Sequence, residues 1–133
     1  MNRLHVEDFT QGYLEAMLWA DGNETDDEGN EVDFSDHPLS DHARNIINID
    51  CMVFLVLCYD LIKPENFSRG RGEYSVWAQA GHDFWLTRRG HGVGYWDGDW
   101  NDSVADKLTK ASRLFSEYME PYLGDDGLIY FGY

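Results

Sequence analysis

Apolar residues recur at three- and four-residue steps over residues 8–20. Phe9, Tyr13, Ala16, Met17 and Ala20 share one face, and Leu14, Leu18 and Trp19 widen it. That spacing predicts an amphipathic helix, with Gly12 a weak point in its first turn. A polar stretch, DGNETDDEGNEVDFSDH, follows over residues 21–37 and reads as an acidic loop. Ser40 is placed to cap a second helix, with Asp41 in its first turn suiting the helix dipole. This helix should run to about Ile62, ended by Pro64. Its Cys51–Tyr59 stretch is apolar all round, so it is expected to be the central, most buried helix.

Residues 63–73 read as a loop carrying Arg69 and Arg71 between glycines. Residues 83–97, DFWLTRRGHGVGYWD, read as a β-hairpin with aromatic strands and Arg89-Gly90-His91-Gly92 as its turn. Asp99 or Asn101 can cap a third helix reaching about Tyr118, with Val104, Leu108, Ala111, Leu114, Phe115 and Tyr118 as its apolar stripe. After Pro121, residues 124–127 (GDDG) signal a second hairpin. The expected fold is therefore α+β: one domain over residues 1–133, about three helices packed on a small antiparallel sheet built from two hairpins.

Composition changes this picture in one respect. The formal net charge is −15 on 133 residues, and it is unevenly placed. Residues 1–66 hold 15 acids and 3 bases, a net of −12; residues 67–133 hold 10 acids and 7 bases, a net of −3. Such a field repels nucleic acid and attracts basic surfaces. Aromatics make up 15% of the chain, too many for a disordered acidic tail. The nine-residue run Cys51–Tyr59 is too short to span a bilayer, and MNRLHVEDF has no apolar signal core. A cytoplasmic protein that binds no membrane is expected. Cys51 and Cys58, about 10 Å apart on one helix, are too distant for a disulfide and read as buried thiols.

Residues 80–97, AGHDFWLTRRGHGVGYWD, resemble a motif of a family of small acidic bacteriophage-encoded proteins, AGHDFWLTRNGHGAGFWD. In that family an amphipathic helix and a VGDDGxIY element follow; here the ending is LGDDGLIY, residues 123–130. The likeness covers about the last 55 residues well and the first 80 loosely. It implies a phage gene product expressed in a bacterial host cytoplasm, with no established activity attached. Arg89 stands where the family often has Asn, which argues against a simple type I′ turn.

Candidate chemistry is sparse. His82, Asp83, His91, Asp97 and Asp99 are the one cluster of metal-ligand or acid–base types. On the expected hairpin His82 lies at the open end and His91 in the turn, about 20 Å apart at roughly 3.3 Å per residue. His82 with Asp97 or Asp99 is the better-placed pair, either as a structural hydrogen bond or as a metal-dependent hydrolase or nuclease site. His37 and His42 lack zinc spacing and there is no Cys-x-x-Cys pair. Phosphate loops and a nucleophile elbow are absent, so no cofactor is indicated.

The function class these features favour is a binder that inhibits or modulates a host protein with a basic, nucleic-acid-binding surface, such as a defence-system protein. Asp21, Glu24, Asp26, Asp27, Glu28, Glu31, Asp33, Asp36 and Asp41 would stand in for DNA phosphates. The hairpin residues His82, Asp83, Trp85, Arg88, His91 and Asp97 form a structural site or a second interface. Direct nucleic-acid binding by Arg88 and Arg89 is disfavoured by the net charge. A homodimer through exposed hairpin aromatics is compatible with the same reading.

Overall fold

The computed structural model describes residues 1–67, 75–117 and 119–132. Arg69, Arg71 and the expected helix end at Tyr118 lie outside them. Among the described residues four α-helices form, α1 (Arg3–Asp21), α2 (Asp41–Cys58), α3 (Val76–Arg89) and α4 (Asp102–Ser112), with strands β1 (Asn23–Thr25), β2 (Glu31–Asp33), β3 (Glu120–Leu123) and β4 (Ile129–Gly132). The fold is α+β. Its strands make two separate antiparallel pairs, β1–β2 and β3–β4, rather than one sheet.

The first helix starts earlier than the apolar pattern suggests, because the Asn2 side chain caps it by accepting from the Leu4 N–H at 2.8 Å. Ser40 caps α2 as its sequence position implies, its Oγ accepting from Ala43 N–H at 3.0 Å. Asn101 occupies the N-cap position of α4, but its amide is turned toward Glu65 and Asn66. That last helix ends at Ser112, short of the expected boundary.

The main correction concerns residues 83–97. They are the C-terminal part of α3 and the turns after it, not a hairpin. Ser75 caps α3, its Oγ accepting from Ala78 N–H at 3.1 Å. Gly90, at φ 71°, closes it, with the Gly90 and His91 N–H groups donating to the last carbonyls. This glycine C-cap is the αL ending that only a residue without Cβ adopts cheaply. The aromatic content that suggests strands exists because α3 is buried on nearly every side, from Ala78 through Arg88.

Helices α1 and α3 make the most extensive contact in the fold and run in the same direction. Asp8 accepts from Ser75 at one end, and Asp21 meets His91 at the other. Two glycines allow their backbones to touch. A Cβ on Gly12 would lie 1.9 Å from the Ala78 carbonyl oxygen, and one on Gly81 would lie 1.9 Å from that of Phe9. Antiparallel to them, α2 packs with Tyr59 against His5 and Phe54 against Phe9 and Phe84, at ring separations of 5.6 and 4.1 Å for the last two. Phe115, beyond α4, closes the aromatic cluster, 5.0 Å from Phe84.

A second correction follows. The most enclosed helix is α3, not α2. Cys51 and Cys58 are buried free thiols on the inner side of α2, as expected, but its other side is open. Burial pushes the Cys58 thiol up to about 11, and Cys51 higher still.

The glycine contact generates a direct test. Gly12→Ala or Gly81→Ala should lower unfolding stability by about 3 kcal/mol or more, because a backbone carbonyl cannot yield as a side chain can. Gln11→Ala, on the exposed face of the same helix, should stay within about 0.5 kcal/mol. Urea titration of the three variants measures both.

Candidate partner-binding surface

Residues 21–37, expected to be a loop, fold into the β1–β2 hairpin and a 3-10 turn at Phe34–Asp36. The register pairs Asn23 with Asp33, Glu24 with Val32 and Thr25 with Glu31. Asp26 builds the turn. Its N–H donates to Asn30 C=O, its C=O accepts from Gly29 N–H, and its Oδ1 accepts from the N–H groups of Glu28 and Asn30. Gly29 takes φ 84°. An Asp opening a turn with Gly three residues on is the signal that could have revealed the hairpin. Residues 124–127 repeat the plan: Gly124 N–H donates to Leu128 C=O, Gly127 N–H donates to Gly124 C=O, and Gly127 has φ 78°.

Glu31 and Asp33 emerge from one face of β2, about 7 Å apart. The turn adds Asp26, Asp27 and Glu28, all exposed, while Glu24 is half-buried. Among the described residues, none of these six is in a salt bridge. Asp33 caps the 3-10 turn, its carboxylate accepting from Ser35 N–H and Oγ at 2.9 and 2.8 Å. These bonds, the backbone one foremost, hold its pKa below the usual aspartate value.

Tertiary contacts extend this surface to residues assigned only to a turn. Segment 38–40 bridges to Ile129, with Ser40 N–H donating to Ile129 C=O and Ile129 N–H to Pro38 C=O at 2.9 Å each. His37 Nδ1 lies 2.9 Å from Gly127 C=O. The exposed acids Asp36 and Asp41 are thereby brought beside the turn of the second hairpin, with Asp125 and Asp126. Asp126 accepts from Tyr130 Oη at 2.5 Å and from Leu128 N–H; the phenol bond is the larger cause of its lowered pKa. Asp41 acts on the same Tyr130, whose pKa is raised chiefly by Asp126. A cleft of about 490 Å³ between the two hairpins brings Glu24 and Glu120 to one rim with Arg89.

Asp21 does not belong to this surface. Its Oδ2 accepts from Trp85 Nε1 at 2.8 Å and lies 2.7 Å from His91 Nε2, and its Oδ1 is 3.6 Å from Arg89. It joins the C-terminal ends of α1 and α3. Like charges from parallel dipoles meet at those ends, and Arg88 and Arg89 in the last turn of α3 offset them.

The remaining residues singled out in the sequence are scaffold parts spread over several places. Arg88 is buried, donating to Asp50 at 2.7 Å, Tyr13 Oη at 3.2 Å and the Ser116 carbonyl, and it stacks over Phe84 and Phe115. Burial works to lower its pKa, but Tyr13 and Asp50 more than compensate, so it stays cationic. Asp83 is buried, accepting from Gln79 at 3.1 Å and Trp100 at 2.8 Å, with His82 Nδ1 3.6 Å away. Asp97 accepts from Gly94 N–H at 2.9 Å within a turn. Phe84, Trp85, Tyr95 and Trp100 are core, which leaves only Trp96 of that aromatic group at the surface and removes the aromatic dimer face expected there.

Asp97 is thus engaged within its own turn, and Asp83, the carboxylate beside His82, is engaged by two donors. Among the described residues no group of three or more His, Cys, Asp or Glu side chains could hold a metal ion. No helix among them is long and apolar enough to cross a membrane. Comparison with protein-family models, curated proteins and solved structures gives no match.

Two measurements separate scaffold acids from surface acids. Asp21→Ala should cost roughly 1–3 kcal/mol, since the buried Trp85 loses its acceptor, whereas Asp27→Ala should change stability by less than about 0.5 kcal/mol. NMR titration should place the Asp33 midpoint below the ordinary value of about 3.9. The sign follows: a depressed folded-state pKa stabilises the protein at and above the unfolded value, and that contribution is lost as pH falls through the folded one. In Asp33→Asn this segment of the acid-unfolding curve should disappear.

Proposed function

We propose that this chain is a binding protein whose acidic surface occupies a basic, nucleic-acid-binding face of another protein in place of phosphates. The observation that carries this reading is the β1–β2 hairpin. Its turn is ordered by Asp26 and Gly29, and among the described residues none of its carboxylates is in a salt bridge, His37 being the one basic group that acts on Asp33. Electrostatic repulsion among them is tolerated at a place where the core gains nothing from it. A preformed array of like charges lowers the ordering cost of binding and steers a basic partner toward it. The likeness to small acidic phage proteins supports a host protein as target, in a bacterial cytoplasm, with defence systems and transcription or replication factors the natural choices. The net charge argues against direct nucleic-acid binding.

The test neutralises the six hairpin acids with isosteric amides: Glu24→Gln, Asp26→Asn, Asp27→Asn, Glu28→Gln, Glu31→Gln and Asp33→Asn. Asparagine keeps the acceptor oxygens that Asp26 and Asp33 supply to the backbone, so circular dichroism and melting should be nearly unchanged. Capture of the partner from host extract by the natural chain should be strong at low salt and weak at high salt. The six-fold variant should lose most of that capture, and its residual binding should depend little on salt. Equal capture by both proteins would refute the phosphate-mimic reading.

A further inference from the structure

Five large apolar side chains stand exposed on one side of α2: Ile49 at 61%, Met52 at 42%, Val53 at 44%, Val56 at 65% and Leu57 at 55%. They recur at i, i+3, i+4, i+7 and i+8, which is the spacing of a buried helix face. The opposite side of the same helix, with Ile47, Cys51, Phe54, Leu55 and Cys58, is already covered by the core. Single exposed apolar residues are ordinary on a protein surface; a contiguous stripe about 12 Å long is not.

We infer that this stripe is a self-association surface, covered by α2 of a second copy of the chain. Charge is the first reason. The net charge is −15, yet between Ile49 and Leu57 the sole ionisable group other than the buried Cys51 is Asp50, which is turned inward to Arg88 at 2.7 Å. A basic protein surface would find no counter-charge here, and an anionic membrane would be repelled by the molecule as a whole. A second copy brings the same uncharged apolar stripe.

Shape and area are the second reason. Ile49, Val53 and Leu57 form one i, i+4 ridge, and Met52 and Val56 form the ridge beside it. In an isologous pair, the first ridge of each copy can lie in the groove between the two ridges of the other, with Val53 near the two-fold axis. All five side chains, 42–65% exposed in the single chain, would be covered in such a pair. With their flanks, a pair would bury about 1,000 Å², the lower bound for a specific interface. An interface of that size gives a concentration-dependent dimer rather than a permanent one.

The net charge sets the salt response. Two copies at −15 repel each other, so screening should strengthen the dimer, whereas it weakens binding through the acidic hairpin. The two surfaces therefore respond to salt in opposite directions, and either can fail without the other.

Sedimentation velocity of the full chain over a wide concentration range should show a reversible monomer–dimer equilibrium whose association constant rises several-fold between about 0.05 and 0.5 M salt. Val56→Glu should weaken association at least about tenfold. Its urea midpoint at low concentration should stay close to the natural value, because Val56 is exposed in the monomer. Val53→Cys should crosslink efficiently to a second copy with a short bismaleimide. The native thiols are buried, and Leu114→Cys, exposed beyond the end of α4 rather than on α2, should crosslink poorly. A natural chain that stays monomeric up to about 1 mM, the weak end of specific association, would overturn the inference. So would a dimer that forms equally well in Val56→Glu, or one that crosslinks as readily through residue 114 as through residue 53.

Discussion

The backbone contact between α1 and α3 is the constraint on which the other elements depend. Gly12 and Gly81 let the two helices approach until carbonyl oxygens occupy the space a Cβ would take. Both helices lose helix propensity by carrying a glycine in their interiors, by about 1 kcal/mol each. The close approach returns more than that in dispersion contacts and buried apolar area. It also places Phe9 and Tyr13 of α1 against Phe84 and Trp85 of α3, which creates the aromatic floor on which Phe54 and Phe115 settle. Moving either helix outward by the width of a methyl group would open that floor.

Because the two helices run parallel, their negative dipole ends coincide at Asp21 and Gly90. The sequence places its only adjacent pair of arginines there. Arg88 turns inward to Asp50 and Tyr13, and Arg89 lies over Trp85 and near Asp21. The acids of this chain thus divide into two populations. Asp21 and Asp50 are half-buried and Asp83 is buried, and they serve as acceptors for Trp, Arg and Gln donors of the scaffold. The hairpin acids, with Asp36, Asp41, Asp125 and Asp126, project from turns, strands and helix starts, and the donors that meet Asp26, Asp33 and Asp126 among the described residues are backbone N–H and hydroxyl groups. Net charge counts both populations alike, but only the second presents a field to a partner.

A similar division holds for the apolar residues of α2. Its Ile47, Cys51, Phe54, Leu55 and Cys58 side is buried in the core, while the opposite side is not covered. α4 and β4 also touch α2, but they leave Ile49, Met52, Val53, Val56 and Leu57 exposed. The exposed stripe is a consequence of the parallel α1–α3 pair occupying the centre of the molecule.

Local pattern alone determined a good part of this protein. The apolar periodicity marks α1, α2 and most of α4, Ser40 announces the start of α2, and GDDG marks the β3–β4 turn. The separation of charge toward the first half of the chain, and the uncharged stretch within α2, are also legible without coordinates. Each of these is a property of neighbours within about two turns of chain. Tertiary structure decided the rest. A helix enclosed on nearly all sides has no polar face to set its phase, so α3, dense in aromatics and interrupted by Gly81, looks as much like strand as helix until its neighbours are known. Whether Asp21 is a free surface charge or a half-buried acceptor depends on Trp85 and His91, more than sixty residues away. Whether Asp125 and Asp126 stand beside Asp36 and Asp41 depends on the bridge from Pro38 and Ser40 to Ile129. Which side of α2 remains uncovered follows from where two glycines, 69 positions apart, allow one pair of helices to touch.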